Sequence, residues 1–454
     1  MGYFVEVTYH VPESHHDQLD FPPVAKKRVT PDELSDYQKT TLTSVYGEGA
    51  TTGQTAKLVP FLGEHREVMH HIALLKYYVE EMGVVITEVH RVWSFRQSSW
   101  MGECVKKMSS DRAASTDEVT KQVLKLGQNS LYGKLCQDKL KQKSYAPFTD
   151  REKFAKAASK APDFEIFNLL ADGGGFLGLV ARTKRRGPVL DTPRAAAFTV
   201  LELSKLVVLK AHYKIRKHFG PEKCLMLFTD TDSLAYKIWC VNLVAELLKG
   251  VPGVVFDLQE SVPDDDLLAE ALRDQPAYEI ALVRSELKKT KGSLGAFKLE
   301  SKTRAIREFV GLACKMYSLS IVDQASGSRP RVKKSDPVVD PVTGRYDTMH
   351  SKGVPTRVLT AKSSHDEMKE VLFSAGKREV KFAKLQSFNH QICVVETTKR
   401  MLTCFQDKAY QVSVLESRPL GHWRNVSKEQ RLVDARAAQE VEWANLLEDE
   451  DVVL

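Results

Sequence analysis

Phe228-Thr229-Asp230-Thr231-Asp232-Ser233 sets two carboxylates two residues apart, between the apolar run Cys224 to Phe228 and the stretch Leu234 to Ile238. An apolar strand, a tip of Asp and Thr, and a second strand make the pattern of a β-hairpin. On an extended chain, residues i and i+2 point to one side. Two carboxylates held that close repel each other unless positive charge lies between them. Mg²⁺, which prefers hard oxygen ligands, suits that place. The same residues also read as an acidic turn in solvent, and the hairpin alone does not choose.

With 454 residues the chain has room for two to four domains or subdomains. At 43% hydrophobic and 28% charged it can bury a sizeable core and is not a disordered chain. The net charge of +7 permits a polyanionic partner without requiring one. Seven cysteines without a C-x-x-C pair argue against a zinc site or a disulfide framework. They favour a reducing compartment. With no secretory segment and no apolar run long enough for a bilayer, the expectation is a soluble, intracellular protein.

The alternation Tyr3, Val5, Val7, Tyr9, Val11 predicts a half-buried strand at the start. Residues 12 to 62 read as irregular. They hold a cluster of His10, His15, His16, Asp17 and Asp20, open to a metal or a solvated-loop reading, and a loop with Gly47, Gly49 and Gly53. Val68, Ile72, Leu75, Val79 and Met82 fall on one stripe, so a helix is expected over 64–82 with Gly83 as its C-terminal cap. A strand over 84–93 and a helix over 98–109 follow.

Ser115 or Thr116 then caps a helix with Asp117 and Glu118 in its first turn. Lys125, Asn129 and Tyr132 are spaced i, i+4, i+7 along it and share one face. A cation, an amide and a ring in line can hold a triphosphate and its nucleoside. They can equally be a solvated Lys beside a core Tyr. Gly127 inside the helix costs about 1 kcal/mol against Ala, which a close approach of another group would explain.

Further on, Lys139, Lys141 and Lys143 alternate, Gly173 to Gly175 mark a turn, and Arg182, Lys184, Arg185 and Arg186 form a basic cluster that could follow a phosphate backbone. Residues 195–219 predict a long helix, 240–292 helical and charged segments, and 295–322 strands. Lys315 and Tyr317, two apart, are expected on one strand face. Residues 323–351 read as a long loop. A basic helical segment is expected over 366–400, with Lys369, Lys377, Arg378, Lys381 and Lys384, followed by a short strand-rich piece over 410–415. The end is acidic: Glu440, Glu442, Glu448, Asp449, Glu450 and Asp451.

Three of these stretches together resemble the family B DNA polymerases. Lys125-x-x-x-Asn129-Ser130-x-Tyr132-Gly133 resembles the fingers motif K-x-x-x-N-S-x-Y-G. Phe228-Thr-Asp230-Thr-Asp232-Ser233 resembles the palm motif Y-x-D-T-D-S, and Lys315-x-Tyr317 the later K-x-Y motif, in the family's order. The likeness is greatest to the protein-primed branch of viruses and self-synthesising transposons. Gly311-Leu-Ala-Cys-Lys-Met-Tyr and Gly421-His422-Trp423 are similar to that group, and the likeness runs to residue 425.

The resemblance implies an α+β, right-hand architecture with an antiparallel palm sheet, short helical fingers and a helical thumb. The expected division is a partial palm with an insertion over 1–111, fingers over 112–136, and palm with an insertion over 137–322. A linker over 323–351, a thumb over 352–436 and an acidic tail over 437–454 complete it. The implied activity is template-directed deoxynucleotide transfer with two Mg²⁺ ions, on a DNA primer-template with deoxynucleoside triphosphates. A terminal protein primer and a nuclear or viral replication site go with it. Asp232, supported by Asp230, would ligate the ions. Lys125 would bind the triphosphate, Asn129 and Tyr132 would shape the base-pair pocket, and Lys315, Tyr317 and Gly133 would contact primer and DNA. Phe228 stands where most of the family has Tyr.

The family's other palm motif, D-x-x-S-L-Y-P, supplies a further metal-binding Asp and has no match in residues 1–124. It is expected to lie before Met1, as is the family's exonuclease domain, which makes the chain a C-terminal portion of a polymerase. Two rival readings stand beside this one. The first is a catalytically inactive nucleic-acid-binding remnant. The second is an unrelated phosphohydrolase using Asp230 and Asp232, which would have no use for the aligned Lys, Asn and Tyr.

Overall fold

Alternating apolar residues make Gly2–His10 a strand, and two further strands cover both its edges. It lies between His65–His71 and Val85–Phe95 in an antiparallel three-stranded sheet. Val5, Val7 and Tyr9 point into a core made with Leu74, Leu75, Tyr78 and Met82 of the helix Ile72–Met82 and with Leu206 and Leu209 of the long helix Arg194–Phe219. Each such large apolar side chain stabilises the fold by about 1.5–3 kcal/mol when fully buried. This computed structural model describes residues 1–139, 144–159, 164–172, 175–182, 191–262, 265–273, 275–301, 304–323, 345–374, 376–388 and 391–426.

The fold is α+β, built of helices and small sheets. The sheets are antiparallel except for the short pair Phe256–Asp257 and Phe297–Lys298. No helix among the described residues is long and apolar enough to cross a membrane.

Several expectations are corrected. The helix expected over 64–82 begins only at Ile72, because His65–His71 pairs with the first strand and His71 caps the helix by accepting from the Ala73 amide. The Gly83 cap is as expected, with φ +69°. Residues 12 to 62 are not irregular throughout. Ser35 and Gln38 form a capping box that starts the helix Asp36–Tyr46, which buries Leu42 and Val45. The helix expected over 98–109 spans Gly102–Ala114. That over 366–400 ends at Phe373. Beyond Gly376, Lys377–Phe388 and Gln391–Thr403 form a long antiparallel hairpin, so the segment expected as a helical thumb is half sheet. Its run of Val394, Val395, Thr397 and Thr398 favours a pleated strand over a helix.

Arg345–Ser351, inside the stretch expected as a loop over 323–351, is instead a strand paired with Met316–Asp323, which supplies its hydrogen-bonding partner. The rest of that loop beyond Asp323, Lys141, Lys143, Gly173, Gly174, Lys184, Arg185, Arg186 and the acidic end lie outside the described residues.

Candidate active site

Cys224–Asp230 and Ser233–Ile238 form the expected hairpin, with Thr231 and Asp232 alone in the turn. The Asp232 amide donates to the Asp230 carbonyl at 2.8 Å across Thr231, whose φ is +62°. That is a γ-turn of the rare, strained hand. Positive φ at a β-branched residue costs on the order of 1–3 kcal/mol and is kept only where its surroundings enforce it. Thr231→Gly is therefore expected to stabilise the chain by about 1 kcal/mol in urea unfolding. An unchanged or lowered midpoint would show that the turn is not strained.

A second hairpin meets the first tip to tip. Arg304–Ala313 pairs with Met316–Asp323, with Cys314 and Lys315 in the turn. Lys315 thus sits in a turn at φ +61°, not on a strand face beside Tyr317 as expected. Its Nζ lies 3.0 Å from Asp230 Oδ1, an oxygen that also accepts from Thr231 Oγ1 at 3.2 Å. Three non-glycine residues have positive φ among those described, and Thr231 and Lys315 are two of them.

Aromatic rings hold the two tips together. Phe228 packs on Tyr317 at 4.5 Å and on Phe309 at 5.5 Å between centroids, and His350 covers Tyr317 at 4.8 Å. Pairs of this kind are worth about 0.5–1.5 kcal/mol beyond the area they bury. Gly311, paired with Tyr317, leaves room for this. A Cβ there would lie 2.8 Å from Phe309 Cζ. Burial raises the Tyr317 phenol above its ordinary range, the charges of Asp230 and Glu300 add to that, and Lys315 opposes it. No sequence motif singles out Phe309 and His350. Only the strand register brings them to the tips, through the pairs Phe309↔Leu319 and Tyr317↔His350.

Lys125, Asn129 and Tyr132 lie on the helix Glu118–Leu135, whose N-terminal cap is Asp117 and not Ser115 or Thr116. Asp117 accepts from the Val119 and Thr120 amides. The close approach expected at Gly127 is made by the preceding helix. A Cβ there would lie 2.7 Å from Met108 Cε. A Cβ on Gly133 would meet nothing, so no contact within the chain demands glycine there. Lys125 and Asn129 are exposed, without a side-chain partner among the described residues. The helix rests on Arg194–Phe219, which in turn packs on the Asp hairpin. No hydrogen bond, ion pair or ring contact among the described residues joins Lys125, Asn129 or Tyr132 to Asp230, Lys315 or Tyr317.

Three carboxylates of the first strand and the segment after it have partners of their own. Glu6 pairs with Arg91. Asp17 pairs with Arg424 at 2.9 Å and His422 at 3.3 Å, and Asp20 with His212 at 2.8 Å. His16 is buried, bonded to the Val11 carbonyl and the Trp423 amide, so this member of the histidine cluster does not lie in a solvated loop. Ser318, His365 and Glu308 form a hydrogen-bonded chain of 2.8 and 3.1 Å, but Ser318 and His365 are sealed in the core, where no substrate reaches them.

Asp230 and Asp232 are too few ligands for two Mg²⁺ ions. No group of three or more His, Cys, Asp or Glu side chains among the described residues is placed to hold a metal. The Asp232 carboxylate is exposed and unpartnered among the described residues, while Asp230 Oδ1 is already taken by Lys315. No family model, curated protein or solved structure matches the chain.

Proposed function

We propose that the chain is the polymerising part of a family B-type, protein-primed DNA-directed DNA polymerase. The observation that carries this reading is the meeting of two sequence motifs. The D-T-D-S hairpin and the K-x-Y turn, remote in sequence, touch through the 3.0 Å ion pair of Asp230 and Lys315 and the ring contact of Phe228 with Tyr317. In this reading the Asp hairpin is the palm's acidic tip. Lys315 and Tyr317 hold the primer end, and Gly133 leaves space for DNA. The helix pair Gly102–Ala114 and Glu118–Leu135 forms the fingers. Its exposed Lys125 takes the triphosphate, with Asn129 and Tyr132 against the nascent base pair. The helices Thr356–Lys362 and His365–Phe373 and the long hairpin after them take the place of the thumb. Asp232, supported by Asp230, would hold part of a pair of Mg²⁺ ions, whose chemistry would be to lower the primer hydroxyl's pKa and offset charge on the leaving pyrophosphate. They require a carboxylate beyond Asp230 and Asp232.

A second reading is a nucleic-acid-binding module without catalysis. The engagement of Asp230 by Lys315 favours it.

Both readings require binding to DNA largely independent of sequence, with log affinity falling linearly in log salt. The hairpin lysines test the surface. Lys381 is exposed and unpartnered among the described residues, whereas Lys369 is held by Glu308 at 2.7 Å. Lys381→Ala is expected to reduce the salt slope by about one, and Lys369→Ala to leave it unchanged. Fluorescence anisotropy on labelled duplex reads both. Equal slopes for wild type and Lys381→Ala would remove the hairpin from the contact surface. An absence of DNA binding would sink the polymerase reading.

A further inference from the structure

We propose that Lys315 is an internal counter-ion for Asp230, and that an anionic nucleic-acid backbone draws it away, so that DNA and a divalent cation bind cooperatively. The inference rests on the polymerase reading only in taking DNA as the anion.

Three observations lead to it. The Lys315 ammonium sits 3.0 Å from Asp230 Oδ1, at the tip of the Asp hairpin. It is the only cationic side chain paired with either Asp230 or Asp232 among the described residues. Its position is enforced. Lys315 is held at φ +61° in a two-residue turn, and the ring contacts of Phe228 with Phe309 and Tyr317 fix that turn against the Asp hairpin. A residue kept in so unfavourable a conformation marks a place where the surroundings dictate side-chain direction.

The pair is also open to exchange. The two side chains are 56% and 37% exposed. Ion pairs so exposed are weak, so a phosphodiester can compete for the ammonium and a divalent cation for the carboxylate. The two ligands remove opposite halves of one pair. Each therefore relieves the other's competitor, and the coupling is reciprocal. An Asp230 paired with Lys315 binds a divalent cation somewhat more weakly until DNA is in place.

The test is Mn²⁺ binding to the full chain, read by the loss of the free-ion electron paramagnetic resonance signal, with and without a DNA duplex. Asp230→Asn and Asp232→Asn serve as controls. For wild type, DNA is expected to tighten Mn²⁺ binding by about threefold beyond what DNA alone binds, the scale of an exposed pair. Lys315→Met is expected to bind Mn²⁺ about threefold tighter without DNA and to lose the dependence on DNA. Lys315→Arg should restore part of that dependence. Circular dichroism of each variant confirms that it is folded. Mn²⁺ binding that needs Asp230 but is equal in wild type and Lys315→Met, with and without DNA, overturns the counter-ion role and leaves the polymerase reading standing. Mn²⁺ binding that is the same in wild type, Asp230→Asn and Asp232→Asn also overturns the counter-ion role, whereas only an absence of DNA binding overturns the polymerase reading with it.

Discussion

The chain, given primed template, Mg²⁺ and deoxynucleotides, is expected to leave the primer unextended. The reason is the count of ligands. A two-ion mechanism needs carboxylates that bridge both ions from separate palm elements. In this chain Asp230 and Asp232 come from a single hairpin, and Lys315 engages one of them. Glu6, Asp17 and Asp20, the acids of the first strand and the segment after it that could be asked to help, are paired with Arg91, Arg424 and His212. A segment bearing D-x-x-S-L-Y-P, fused or added in trans, is expected to restore extension. In that restored protein, Asp232→Asn should lower the rate by about 10³-fold or more, as loss of a group acting on transition-state charge does. Gel-resolved primer extension reads each case. If the chain alone extends the primer and Asp232→Asn stops it, a third carboxylate of the chain must complete the site. Glu6, Asp17 and Asp20 are then the residues to replace.

Local pattern predicts the structure where local forces decide it. The acidic hairpin, the helix of Lys125, the long helix Arg194–Phe219 and the αL cap at Gly83 each follow from turn chemistry, periodicity or a breaker residue. Elements that depend on a remote partner are not legible in this way. His65–His71 is a strand because Gly2–His10 pairs with it, and the pairing carries an irregularity with Glu67 at φ +50°. Apolar residues there satisfy a helical stripe as well as an alternating one. The 377–403 hairpin is hidden by the same ambiguity, since its spaced lysines fit a basic helix.

The site divides along the same line. Asp230, Lys315 and Tyr317 are legible as motifs, and the structure joins them. Their angle of approach is not legible. It depends on two positive-φ turns at Thr231 and Lys315, positions where such a backbone favours glycine or asparagine and the residue present gives no warning. The counter-ion at Asp230 follows from that geometry alone.

Glu202→Ala is expected to cost about 3–5 kcal/mol of stability, as removal of one partner from a buried charged network does. Glu202 sits on the long helix with 1% of its side chain exposed, and it joins that helix to the first sheet. His70 Nδ1 lies 2.9 Å from one carboxylate oxygen and Lys205 Nζ 2.8 Å from the other, while His70 Nε2 reaches the Tyr9 hydroxyl at 3.2 Å. Burial pushes the Glu202 carboxyl up, but the His70 hydrogen bond and the charges of His70 and Lys205 outweigh it, so the group ends below its ordinary range. A carboxyl depressed in the folded state stabilises the chain above its unfolded value of about 4.3. That contribution is lost as pH falls through the folded value, so the wild-type urea midpoint should drop below about pH 4. Removing the carboxylate strands the buried His70, whereas Lys205, 45% exposed, turns to solvent. Glu202→Gln keeps the volume and one acceptor for His70, so its loss should be nearer 1–2 kcal/mol, on the order of one hydrogen bond, and it should lack part of the acid dependence. The cycle of Glu202→Ala with His70→Ala should be strongly non-additive, because the two changes remove the same interaction. Additive losses, or a Glu202→Ala protein as stable as wild type at pH 7, would show that the buried network does not hold the helix to the sheet.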